Sequence, residues 1–246
     1  MFIIDKVKET GVKLLDPRDG YDLTAPYYEQ WHWFRFWRKN EAPIIEQWLG
    51  NLKPGFGLDA GSGTGPYIPS ITQLGHRCVA FDLSWRMLSI IKEKINSYAG
   101  NSSVLYMQGN IGALPFRDSQ FDWILCSRVL SHASHITSVL REFARVLKKH
   151  GVCLISDIHP EHPYTHVEIP MNGTRVGIKT YKHSIGDFKR VVSSLQDFQL
   201  LNLDEYHLKD LCWQPPEANF SKLYCHSNPA VFYISRLKKH MSTTPA

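Results

Sequence analysis

The run Leu58-Asp59-Ala60-Gly61-Ser62-Gly63-Thr64-Gly65 constrains this 246-residue chain more than any other stretch. A short apolar segment precedes it and a helix-like segment follows. Cys78-Val79-Ala80-Phe81 is a second apolar run, and it ends in Asp82, about 20 residues beyond the glycines. Strand, glycine turn, helix, strand and terminal acid is the arrangement with which an open α/β sheet holds a nucleoside.

The glycines are spaced G-x-G-x-G, and Pro66 stands where a dinucleotide fingerprint has its third glycine. Proline suits the first turn of a helix, where its missing N–H would be unsatisfied anyway. It cannot make the close helix–strand contact of that glycine. Asp59 just before the turn disfavours a doubly charged pyrophosphate and suits a ligand with an ammonium group and a sulfonium. No Gly-Lys-Ser/Thr follows, which excludes a P-loop.

The run resembles motif I of the class I S-adenosylmethionine (SAM) dependent methyltransferases, and the resemblance continues in order. Val79-Ala80-Phe81-Asp82-Leu83-Ser84 resembles the segment whose acid holds the ribose hydroxyls. Trp85-Arg86-Met87-Leu88 opens a helix that in the family lays an apolar side chain on the adenine. Gln108-Gly109-Asn110-Ile111-Gly112-Ala113-Leu114-Pro115-Phe116 is similar to the adenine-reading loop, with Asn110 in place of the usual acid. An amide oxygen there can still accept from the adenine amino group. Phe121-Asp122-Trp123-Ile124-Leu125-Cys126 resembles the fourth strand, and Val129-Leu130-Ser131-His132 the step after it. Arg145-Val146-Leu147-Lys148 with Gly151-Val152-Cys153-Leu154-Ile155 resembles the turn and fifth strand, with Lys149-His150-Gly151 replacing a proline-glycine turn. The matches span roughly residues 40 to 158. The group most similar is methyltransferase type 11, which includes quinone C-methyltransferases and many small-molecule enzymes.

The resemblance implies a Rossmann-like α/β fold. Its seven-stranded sheet has an antiparallel last strand and helices on both faces, with an N-terminal helical lid and an insertion after strand 5. It implies SAM as cofactor and S-adenosylhomocysteine as product. The implied cofactor residues are Asp59, Gly61, Ser62, Gly63, Gly65, Asp82, Leu83, Met87, Asn110, Ile111 and Ser127. Tyr28 joins them, because the family often reaches the SAM carboxylate with an N-terminal tyrosine.

Composition agrees with a globular enzyme. Hydrophobic content is 43% and charged content 21%, outside the disordered range. No apolar run approaches the roughly 18 residues of a membrane span, and Met1 to Ile4 is too short for a signal peptide. The five cysteines form no C-x-x-C pair, and three of them lie in apolar runs. Reduced thiols in a cytoplasmic protein are expected. The net charge is +5, but the bases are scattered, which argues against nucleic acid as a partner. A small-molecule acceptor and a monomer or homodimer are expected.

Along the chain, residues 1–23 read as irregular, 25–40 as an aromatic helical stretch and 41–52 as a helix packing on the sheet. Core strands are expected near 56–60, 78–82, 103–108, 121–126 and 152–157. Helices are expected near 66–75, 84–98 and 134–149. Asn172-Gly173 between Val167-Glu168-Ile169 and Val176-Gly177-Ile178 signals a type I′ hairpin. Ser184 reads as an N-cap with Asp187 at the capping-box position, opening a helix to Leu195. Closing strands are expected at 198–203 and 230–235. Residues 1–52 thus form a lid with its flanking helix. Residues 53–246 form the SAM-binding domain with a substrate-covering insertion at 159–183, and the whole is one structural domain.

Ligands of open α/β sheets lie outside the carboxyl ends of the strands. That puts Ser127, Arg128, Ser131, His132, Asp157 and His159 near the transferred methyl. His159, His132 and Asp157 are the candidate catalytic residues, with His159 the favoured base. Seven aromatics between Tyr27 and Trp37 read as a lid over a flat acceptor, or as a helix filling a groove. Trp31, Trp33, Trp37, Arg128 and His162 are the candidate acceptor contacts. The spacing of His159, His162 and His166 allows convergence, but Pro160 and Pro163 forbid the helix that would align them, so no metal is assigned. Methyl transfer from a sulfonium needs mainly proximity, and a base only where the nucleophile loses a proton. The leading reading is methylation of a small aromatic, heteroaromatic or quinone-like acceptor. The alternatives are an RNA or protein methyltransferase, which the absence of an N-P-P-Y motif at Ser127 to Leu130 opposes, and a non-catalytic SAM-binding partner subunit.

Overall fold

Successive side chains on a strand point to opposite faces of its sheet, and here both faces are apolar. On β5 (Phe121–Ser127), Ile124 and Cys126 join one buried cluster while Trp123 and Leu125 join another. The same split holds on β3 (Arg77–Asp82), with Val79 and Phe81 against Cys78 and Ala80. A sheet covered on both faces reads as continuous apolar runs, and its strands are typically parallel.

The computed structural model describes residues 12–96, 103–195, 197–212 and 228–240. The chain opens with β1 (Lys13–Leu15), α1 (Pro17–Thr24), a 3₁₀ turn at Ala25–Gln30, α2 (His32–Asn40) and α3 (Ala42–Gly50). Alternation follows: β2 (Phe56–Ala60), α4 (Ile68–Gln73), β3, α5 (Trp85–Asn96), β4 (Val104–Gln108), β5, α6 (Ile136–Val146) and β6 (Leu147–Ile158). Then come β7 (His166–Met171), β8 (Thr174–Lys179), α7 (Ile185–Ser194), β9 (Phe198–His207) and β10 (Ala230–Lys239). The main sheet has the order β4-β3-β2-β5-β6-β10-β9. The first five of these strands are parallel, and β10 runs antiparallel to both of its neighbours. Helices α6 and α7 cover one face; α2 to α5 cover the other.

A second sheet, of order β1-β8-β7, lies apart from the first. The expected hairpin is there: Met171 pairs with Thr174 across Asn172 and Gly173, both in the left-handed region at φ 48° and 76°. Strand β1 adds to it in parallel, with Lys13 opposite Val176. Trp31 packs into the small core of this sheet with Val167, Ile169, Val176 and Ile178.

Several boundaries differ from the sequence reading. Residues 13–24 are a strand and a helix rather than irregular, because their stabilisation comes from β8 and not from a periodic pattern of their own. Helix α6 stops at Val146, and residues 147–150 already belong to β6. There the ladder slips between Phe121 and Trp123, and His150 takes φ 63°. Helix α7 starts as expected: Ser184 Oγ accepts from Asp187 N at 3.0 Å. Most of the 208–228 stretch between the two closing strands, including Cys225, lies outside the described residues.

One packing contact in the sheet centre is unusually close. Gly57 sits opposite Trp123 in the ladder, and a Cβ at Gly57 would lie 2.1 Å from the indole. The indole cannot retreat easily, since it is fully buried and its N–H donates to His76 Nδ1 at 3.2 Å. Gly57→Ala is therefore expected to destabilise the fold by about 1–3 kcal/mol through overpacking, measured by chemical denaturation; an unchanged midpoint would show that the indole relocates freely.

Candidate functional site

The glycine loop follows β2 directly. Gly61 has φ 82° and Gly63 φ 53°, where only glycine is unstrained. A Cβ on Gly61 would also strike Val129 Cγ2 at 2.2 Å. The backbone N–H groups of Gly61 and Ser62 both donate to Phe81 O, at 2.7 and 3.0 Å. The loop is thereby tied to the end of β3. Asp82, the last residue of β3, completes the tie: its Oδ2 accepts from Gly63 N at 2.8 Å and its Oδ1 from Ser84 N at 2.9 Å.

A cavity of about 410 Å³ opens here, at the carboxyl ends of β2, β3 and β5. Asp59, Gly61, Ser62, Gly63, Asp82, Leu83, Met87, Asn110, Ile111, Ser127, Tyr28, Arg128 and His132 all line it. Burial pushes the Asp59 carboxyl up to about 7, with the Asp82 charge adding to the rise. Asp82 rises to about 6 for the same first reason, moderated by its backbone donors. Four buried polar atoms of the lining have no hydrogen-bond partner: Asp59 Oδ2, Ser62 Oγ, Thr64 Oγ1 and Arg128 Nη1. Buried polar groups are normally satisfied, so this set fits a polar ligand with both cationic and anionic parts. A zwitterionic amino-acid arm beside a nucleoside meets that description.

The loop from Asn110 to Phe116 is held from beneath by two residues of α6. Arg145 donates to Leu114 O at 2.9 Å and Phe116 O at 2.7 Å, and it pairs with Glu142 and Asp118. Glu142 Oε2 accepts from Leu114 N at 2.6 Å. Asn110 Oδ1 accepts from Gly112 N at 2.8 Å, closing a local turn. One lone pair of that oxygen remains for a ligand donor.

At the other end of the cavity stand groups that sequence reasoning missed. Tyr21 and Pro17 of α1 line the wall. Asp22, on the same helix, accepts from Ser84 Oγ at 2.6 Å and from Arg86 N at 3.2 Å, at the N-terminus of α5. An anion is favoured at that end of a helix, and the contact holds α1 over the cavity. Tyr21 Oη lies 2.8 Å from His132 Nε2, and His132 Nδ1 lies 2.9 Å from Lys179 O. Facing a carbonyl, Nδ1 must carry the proton. In the neutral ring Nε2 then accepts from the tyrosine. Burial keeps the ring neutral by pushing it down to about 4, and it raises the Tyr21 phenol well above its usual value. The signal for Tyr21 was absent from local pattern, because its helix gains its place from distant partners, β8 and the N-terminus of α5.

The remaining candidates lie elsewhere. Gly65 is not in the cavity wall; it packs under α5, where a Cβ would meet Ile91 at 2.9 Å. Asp157 is 2% exposed and fully engaged by Ser131 N, Ser131 Oγ and Ile158 N at 2.7 to 2.9 Å. His159 lines a separate cleft of about 440 Å³ with Glu205, Lys182 and Asp187. His162 is buried, pushed down to about 4, and its ring stands edge-on to Trp33 at 6.3 Å. Trp31 fills the core of the second sheet, and Trp37 packs on Phe36 and Phe232. The tryptophans of the aromatic stretch thus fill grooves, and the rings facing the cavity are Tyr21, Tyr28 and Tyr67. Among the described residues no group of three or more His, Cys, Asp or Glu could hold a metal ion, and no helix is long and apolar enough to cross a membrane.

Comparison with known proteins agrees with this geometry. Residues 58–155 match the methyltransferase domain family. The chain is 29% identical over 157 residues to a malonyl-[acyl-carrier protein] O-methyltransferase of Hamiltonella defensa, covering 64% of this chain and 55% of that protein. It is 31% identical over 123 residues to a demethylmenaquinone methyltransferase of Thermobifida fusca, covering half of each. The chain thus spans about half the length of the curated relatives it matches. Among solved structures, a SAM-dependent methyltransferase from Mesorhizobium loti superposes with a TM-score of 0.60 at 16% identity, over 80% of this chain and 96% of that one. At that identity the likeness speaks for the fold alone. The glycine loop and both strand-end acids lie within residues 58–155, the stretch that matches the methyltransferase domain family.

Proposed function

We propose that this chain transfers the methyl group of S-adenosylmethionine to a small aromatic, heteroaromatic or quinone-like acceptor. One observation carries the reading: a buried carboxylate, Asp59, and a half-buried one, Asp82, stand at a positive-φ glycine loop in a cavity whose unpartnered buried atoms carry both signs of charge. Asp82 is the group for the ribose hydroxyls, its oxygens having lone pairs beyond those that Gly63 and Ser84 occupy. Asp59 suits the ammonium. Met87, Leu83 and Ile111 offer apolar surface to the adenine. Bound SAM supplies an electrophilic methyl on a sulfonium leaving group. The tyrosines of α1 and of the following turn favour a ring-bearing acceptor, and rings can also screen a cation from water. The quinone-methylating relative supports the same class.

The pair Tyr21–His132 is suited to an acceptor that must lose a proton. With its O–H directed to His132 Nε2, Tyr21 keeps its oxygen lone pairs for an acceptor O–H or N–H. A neutral, oriented imidazole behind it can take a proton through the tyrosine. The Lys179 carbonyl fixes the tautomer that allows this. His132 therefore acts in this reading with a partner that the hairpin insertion and α1 supply jointly.

Calorimetry on the purified chain should show micromolar binding of S-adenosylhomocysteine and no binding of NADH; the reverse would overturn the cofactor reading. Asp82→Ala should weaken S-adenosylhomocysteine by ~1.5–3 kcal/mol, the loss of charged hydrogen-bond acceptance. Affinity should also depend on pH. A bound cation favours ionised Asp59, so affinity is full above about 7 and falls as pH drops through that value, at most about tenfold per unit. A flat profile from pH 8 to 5.5 would remove Asp59 from the cation site. Tyr21→Phe should lower kcat about tenfold or more while S-adenosylhomocysteine affinity stays the same; equal loss of both would assign Tyr21 to the cofactor instead.

A further inference from the structure

Glu41 is fully buried, at the junction between α2 and α3. Its Oε1 accepts from Ser156 Oγ at 2.5 Å. Its Oε2 takes Tyr67 Oη at 2.9 Å, Ser127 Oγ at 3.2 Å and Arg128 Nε at 3.1 Å. These donors come from the turn after the glycine loop and from the ends of β5 and β6, so the carboxylate has no freedom to swing. Arg128 is equally constrained. Its backbone adopts φ 60°, its N–H donates to Ser156 O at 2.7 Å, and its guanidinium lies 5.2 Å over the Trp37 ring.

With Nε given to Glu41, the guanidinium presents Nη1 buried and without a partner, in a residue that lines the cavity. No other lysine or arginine is among the described residues of that lining. The next residue, Val129, packs directly on Gly61. The free donor therefore belongs to the cofactor end of the cavity. We propose that Glu41 is a positioning residue: it holds Arg128 by Nε so that Nη1 receives the carboxylate of the cofactor's amino-acid arm. This rests on the SAM reading above and deepens it. The division of labour is chemical. Asp59 faces the ammonium of the zwitterion and Arg128 its carboxylate, while Glu41 balances the arginine's charge without occupying the donor that the ligand needs. A guanidinium recognises a carboxylate through directed N–H donors, so a displacement by one methylene is enough to lose the contact.

The test compares S-adenosylhomocysteine with its decarboxylated analogue, which keeps the adenosine and the ammonium, by calorimetry on the full chain. The wild-type chain should prefer the carboxylate-bearing ligand by about tenfold or more, the scale of one charge-assisted hydrogen bond. Glu41→Asp retains the buried charge but withdraws it; it should remove most of this preference and leave affinity for the decarboxylated analogue unchanged. Arg128→Gln should remove the preference altogether. A purely structural role for Glu41 would weaken both ligands alike, and that result, or a preference that survives in Glu41→Asp, overturns the proposal. Equal wild-type affinity for the two ligands overturns it while leaving the cofactor reading intact. Binding of neither ligand by the wild-type chain overturns both. Should Glu41→Asp fail to fold, the same ligand comparison in Glu41→Met, which keeps the volume and removes the acceptor, and in the double variant Glu41→Met/Arg128→Gln decides: a preference retained in either refutes the proposal.

Discussion

A sheet buried on both faces offers water only its ends. The interiors of the central strands β3 and β5 are committed to one of two apolar clusters, so a charge placed there would be unpaired and costly. The charged and hydroxyl groups accordingly collect where the strands stop. Asp59 is the penultimate residue of β2, Asp82 closes β3, Ser127 and Arg128 leave β5, and Ser156 and Asp157 stand near the end of β6. These groups are desolvated enough to have shifted acidities, yet near enough to one another to be satisfied or to face a common cavity. Site position is in this sense a consequence of core packing rather than an addition to it.

The cavity at the glycine loop was legible because its signals are local. A glycine that must adopt positive φ, an acid at the end of an apolar run and a loop of fixed spacing each announce themselves within a few residues, and Asp59, Gly61, Gly63 and Asp82 indeed share one cavity wall. The hairpin at Asn172-Gly173 and the cap at Ser184 were legible for the same reason. Glu41, Tyr21 and the parallel pairing of β1 with β8 were not, because each gains meaning only from partners tens to more than a hundred residues away. The aromatic stretch was legible only in part. Seven rings in eleven residues left open a lid or a helix filling a groove; Trp31 and Trp37 are spent on two separate cores, while Tyr28 beside them faces the cavity. Composition counts rings; only packing assigns them a side.

The molecule is divided chemically as well as structurally. The part matched by the methyltransferase domain family, residues 58–155, contains the glycine loop, both acids and the loop pinned by Arg145. The part outside it supplies α1 with Tyr21, Tyr28 of the turn that follows, and the β7–β8 hairpin whose Lys179 carbonyl orients His132. Relatives that share the first part need not share the second, which accords with the chain matching about half the length of the curated methyltransferases it resembles. Glu41 lies outside the matched part and Arg128 inside it, so the pair spans the boundary.

The pairing of β1 with β8 has a consequence for how the protein comes into being. Lys13 finds its ladder partner, Val176, only after more than 160 further residues have been added. At ribosomal rates of ~5–20 residues per second that is a wait of about 10–30 s. During it the five parallel strands through Ile158 have all emerged, and their helices lie between them in sequence, so this half can assemble from near neighbours. Strand β1, made before all of these, is then among the last elements to dock. It settles as a roof on a floor already laid, and Trp31 must stay shielded or tolerated in water until the hairpin arrives to receive it.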